Sequence, residues 1–70
     1  MNEIITLIRL SHPGKLYEAI MSARYDDADT AEDTADELVF ALFHDDTFNE
    51  YTGSQLRDAV NQAIADYNDF

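Results

Sequence analysis

Asp29-Thr30-Ala31-Glu32-Asp33-Thr34-Ala35-Asp36-Glu37-Leu38-Val39-Phe40-Ala41-Leu42-Phe43-His44 is the stretch on which the fold turns. At about 100° per residue, Ala31, Ala35, Leu38, Val39 and Leu42 share one face, while Asp29, Glu32, Asp33 and Asp36 gather on the other. This periodicity predicts a helix over about 30–44. The polar run Asp26-Asp27-Ala28-Asp29-Thr30 leads into it, and Asp29 with Glu32 has capping-box spacing, Asp standing where Ser or Thr is usual.

Upstream, Ser11-His12-Pro13 reads as a helix start, because Pro13 in a first turn gives up no needed N–H. A helix over about 13–25 follows, with Leu16, Ala19, Ile20 and Ala23 as its core face and Tyr17 and Met21 at the margin. The opening segment, residues 3–10, places Ile4, Ile5, Leu7, Ile8 and Leu10 around most of a helical circumference, although its β-branched content also suits a strand. Downstream, 45–53 is turn-rich, with Phe48 and Tyr51 expected to plug it onto the core. Thr52 or Ser54 can cap a last helix to about Asn68, striped by Leu56, Ala59, Val60, Ala63, Ile64 and Tyr67. The expected class is all-α, a compact bundle of three to four short helices forming one acidic domain over residues 1–70.

Charge sets the limits on function. Fifteen Asp or Glu stand against four Lys or Arg, for a net charge of −11. Binding nucleic acid directly draws on Lys and Arg that displace counterions, and Arg9, Lys15, Arg24 and Arg57 are too few and scattered. A membrane-surface role fails on the same count, and no stretch approaches the roughly 18 apolar residues of a membrane span. Absence of Cys removes disulfides and thiolate zinc sites, so packing or self-association must hold the fold, which leaves a homodimer open. A cytoplasmic location is expected, that of the host cell for a phage-encoded chain.

No constellation for catalysis stands out, and no cofactor is expected. His44-Asp45-Asp46 lacks a second ligand at helical spacing, and Ser11, Ser22 and Ser54 have no nucleophile-elbow context. His12 is expected at a helix start and His44 at a helix end, where an imidazolium suits the dipole. The span 26–37 has the length of a calcium loop, but its sixth position, where a sharp turn needs Gly, is Ala31. What does stand out is density. Asp26, Asp27, Asp29, Glu32, Asp33, Asp36 and Glu37 put seven carboxylates into twelve residues, about one per 2.5 Å if helical, against about one phosphate charge per 1.7 Å of duplex DNA. Asp45, Asp46 and Glu50 extend the track across the bridge, and Asp58, Asp66 and Asp69 continue it. Phe40 falls within about 20° of Asp29 on the wheel, either as an interface anchor ringed by acids, or because the helix is buried on two sides near its end or Phe40 meets a symmetry mate.

Asp33 to Leu42 resembles the helix after the prosthetic-group serine of acyl carrier proteins, and Ala63-Ile64-Ala65-Asp66-Tyr67 echoes their last helix. That family carries phosphopantetheine on a Ser in an Asp-Ser-Leu context, and no Ser occurs between Ser22 and Ser54, so a carrier role is not implied. In size, charge and helicity the chain resembles small acidic inhibitors made by phages and mobile elements, which block restriction or CRISPR enzymes by imitating nucleic acid. The resemblance implies a non-enzymatic inhibitor whose partner is a basic protein surface, the nucleic-acid groove of a host enzyme. Its partner-binding residues would be the seven acids of 26–37 with Phe40, Asp45, Asp46 and Glu50. The alternative is an interaction module, such as an antitoxin or small regulatory subunit, that binds through apolar helix faces while its charge serves solubility.

Overall fold

The computed structural model describes residues 3–68; Asp69, expected at the end of the acidic track, lies outside them. Among the described residues there are four α-helices, α1 (Glu3–Ser11), α2 (Pro13–Tyr25), α3 (Ala28–Phe43) and α4 (Gly53–Asn68), with one 3₁₀ turn at Asp46–Phe48. The all-α bundle expected from the apolar periodicity is the fold observed. Helices α2, α3 and α4 pack against one another, and α1 lies across α2 and α4.

The strand alternative for the opening segment gives way to packing. Ile5 and Ile8, three residues apart, are buried, with Ile4 and Leu7 packed at the core's edge, and Leu10 points to solvent. The helical ladder continues to the His12 N–H, which bonds the Ile8 carbonyl at 2.7 Å, and stops where Pro13 has no N–H to give. His12 occupies the N-cap position of α2, but its side chain caps nothing there.

The start of α3 differs from expectation. Asp27, not Asp29, is the N-cap: its Oδ1 accepts the Thr30 N–H at 3.0 Å, and the helix begins two residues early, at Ala28. The cause lies in the neighbouring helix. Asp26 ends α2, with its N–H on the Ser22 carbonyl, leaving only Asp26 and Asp27 to make the turn. Asp29 then falls in the first turn, where its charge favours the helix dipole. In α2, Ala23 is exposed rather than in the core face, and Ser22 is buried instead. Ser22 turns toward α3, where its hydroxyl donates to Asp26 Oδ2 at 2.9 Å and lies 3.2 Å from the Thr34 hydroxyl.

Thr52 caps α4 in a complete capping box. Its Oγ1 accepts the Gln55 N–H at 3.1 Å while Gln55 Oε1 accepts the Thr52 N–H at 2.9 Å. Phe48 plugs the bridge onto the core as expected and is the largest fully buried side chain among the described residues, with Ile8, Leu38, Leu42, Leu56 and Val60; Tyr51 packs against the core's edge.

Candidate functional site: an acidic ridge and an arginine-rimmed groove

Because α3 buries Ala35, Leu38 and Leu42 between α2 and α4, its opposite side has to face water. Two rows at four-residue spacing run along that side. Asp29, Asp33 and Glu37 form one, and Glu32, Asp36, Phe40 and His44 the other, with members of a row about 6 Å apart along the axis. Asp29, Glu32, Asp33 and Glu37 are exposed, and Asp36 is half-buried beside Arg57 of α4, with which it pairs. The helix is not buried on two sides near its end, since Phe40 is 67 % exposed and Phe43 is 62 % exposed.

Both rings contact the same imidazole. Phe40 stacks on His44 with ring centroids 4.3 Å apart, and Phe43 meets the same imidazole at 5.7 Å, edge-on. His44 is the C-cap of α3, the helix-end position expected for it, so the aromatic cluster sits at a helix terminus. Carboxylates approach Phe40 from its own row and the next, and Lys15 reaches the depression beside Asp36, Glu37 and Phe40. The ridge is therefore a line of anions ending in an exposed aromatic knob.

The remaining acids differ in their engagement. Asp26 and Asp27 sit at the turn preceding the ridge, both exposed at residue level. The Thr30 hydroxyl, and then its backbone N–H, hold the Asp27 carboxyl below the ordinary aspartate value. Asp45 is turned into the fold: its Oδ1 accepts the Thr47 N–H at 2.9 Å and its Oδ2 lies 2.7 Å from His12 Nε2. The Thr47 N–H first, and then His12, keep this carboxyl ionised below its ordinary range. Asp46 and Glu50 are exposed on the bridge, and Asp58 and Asp66 on α4. Residues 28–37 are helical, so the segment does not form a calcium loop. Among the described residues no group of three His, Asp or Glu side chains converges to hold a metal ion, and no helix is long and apolar enough to cross a membrane.

A second surface, which periodicity alone leaves hidden, lies where α1, α2 and α4 meet. Leu16, Ile20 and Met21 line a half-open apolar groove of about 250 Å³, with Tyr17 and Tyr67 beside them and Arg9 and Arg24 at its rim. Arg9 lies over the Tyr67 ring, 5.3 Å from its centroid, in cation–π geometry. Among the described residues the ion pairs are His12 with Asp45 and Arg57 with Asp36, so within residues 3–68 neither groove guanidinium has a carboxylate partner. The signal in the sequence was faint: Tyr17 and Met21 sit at the margin of the α2 stripe, and Tyr67, placed in the α4 stripe, remains 39 % exposed. Comparison of the chain with protein-family models, with curated proteins and with solved structures finds no match.

Proposed function

We propose that this protein is a non-enzymatic inhibitor that presents the acidic ridge of α3 to the basic nucleic-acid groove of a DNA-handling or defence enzyme, of the anti-restriction or anti-CRISPR type. The observation that carries this reading is the ridge itself, where carboxylates at one-turn spacing, most of them exposed, lead to Phe40, an exposed ring stacked on His44. Clustered like charges at four-residue spacing destabilise a helix and repel within a Debye length of about 8 Å, so the arrangement works against the fold that displays it. A partner lined with Lys and Arg reverses that sign. The charges would steer encounter, and Phe40 would add contact that salt does not screen.

The test is capture from a bacterial lysate by the tagged protein at about 0.1 M and about 0.5 M salt, alongside a variant with Asp29, Asp33 and Asp36 changed to Asn. Recovery of a nuclease or other nucleic-acid enzyme that is lost at high salt and absent with the triple variant supports the proposal. A partner without a nucleic-acid groove, held equally at both salts and by the triple variant, overturns it. The arginine-rimmed groove favours a second reading, an interaction module binding through apolar faces, and that outcome would support it.

A further inference from the structure

We propose that the arginine-rimmed groove receives the Phe40 knob of a second copy of this chain, in a head-to-tail contact between two different surfaces. The two surfaces are complementary in kind. The groove offers an apolar floor of Leu16, Ile20 and Met21 with two guanidiniums that have no carboxylate partner among the described residues, in a chain with only four Lys or Arg. The knob offers an exposed aromatic ring with the exposed Glu37 three residues behind it, while Asp36, one turn behind, is already paired with Arg57. An aromatic anchor in an apolar slot, rimmed by opposite charges, is the arrangement that concentrates binding energy.

One chain does not satisfy itself this way. No α3 side chain lines the groove, and the Phe40 ring is committed to its stack on His44. Repulsion between two copies of charge −11 is the opposing force, and its range decides the balance. The molecule measures 32 × 23 × 20 Å, so at physiological salt, with a Debye length of about 8 Å, carboxylates on its far faces are screened from the seam, while Glu18 and Asp26, beside Tyr17 and Met21, stay close to it. At about 0.01 M salt the length grows to about 30 Å and the whole charge repels. Association therefore strengthens from low to physiological salt, the opposite of simple ion pairing. Because the contact joins unlike patches, it closes only if the geometry returns on itself and otherwise propagates. It also covers the end of the acidic ridge, so self-association and ridge-directed partner binding exclude each other.

The experiment is sedimentation equilibrium over a concentration series to about 1 mM, at low and physiological salt, for the wild type, Phe40→Ala and the Arg9→Ser/Arg24→Ser double variant, with thermal melts confirming that each is folded. The wild type should associate at physiological salt, and each variant should need at least about tenfold more protein to do so. An equimolar mixture of the two variants, one keeping the groove and the other the knob, should form a 1:1 complex. A wild type that stays monomeric at both salts, association unchanged in either variant, or a mixture that stays monomeric overturns the proposal.

Discussion

His12 and Asp45, thirty-three residues apart, meet through Nε2 and Oδ2 at 2.7 Å, and so tie the start of α2 to the bridge that leaves α3. An ionised carboxylate only accepts hydrogen bonds, so Nε2 carries the hydrogen. The same imidazole faces the buried Phe48 ring at 6.2 Å, which places this polar contact over the plug of the core.

Asp45→Ala should lower the melting temperature at pH 7. The folded carboxyl ionises below its ordinary value of 3.8, so the folded state holds that proton less readily than the unfolded chain. Its contribution is complete above that ordinary value and is lost as pH falls through the lower folded value. Melting curves of the two proteins should therefore differ at pH 7 and converge as pH falls below 3.8 and through the lower folded value. Asp27→Ala should behave the same way, since Thr30 depresses that carboxyl too.

Asp33→Asn should stabilise the fold. Asp33 has Asp29 one turn before it and Glu37 one turn after it on an exposed face, and each like-charge pair costs a few tenths of a kcal/mol. Chemical denaturation should show a gain of about 0.5 kcal/mol, larger at low salt. A stabilising change that also weakens partner capture is the signature expected of charge kept for binding; a loss of stability would mean that Asp33 supports the helix.

Phe48→Ala should cost about 3–5 kcal/mol, because the ring is fully buried at the meeting point of the bridge and the helices. In a chain of 70 residues that is a large share of the total, so the variant should be largely unfolded at 37 °C by circular dichroism.

Gly14→Ala should raise stability by about 0.5 kcal/mol. Gly14 is in the first turn of α2 without a positive φ, and an added Cβ meets nothing within 4 Å. The gain comes from restricting the unfolded chain, and a thermal melt reads it.

Helices were legible where a long apolar stripe faced a polar one, as in α3 and α4, and Pro13 marks the break before α2 without ambiguity. The start of α3 was not, because Asp27 and Asp29 are equally competent caps; the choice was made by where α2 ends, a tertiary matter. Ala23 and Ser22 exchanged roles for a related reason: a helical wheel does not show which neighbour covers the last turn. The acidic ridge could be read from spacing within one helix. The groove could not, since Arg9, Arg24 and Tyr67 come from three helices and meet only in the folded bundle.

The most direct measurement is competition on an enzyme captured by this protein. With labelled duplex bound to that enzyme, fluorescence anisotropy follows its release as the protein is added. Mutual exclusion is expected, with full displacement by the wild type and little by the variant carrying Asn at positions 29, 33 and 36. A ternary complex in which duplex and protein are bound together, or displacement undiminished in the triple variant, would contradict it.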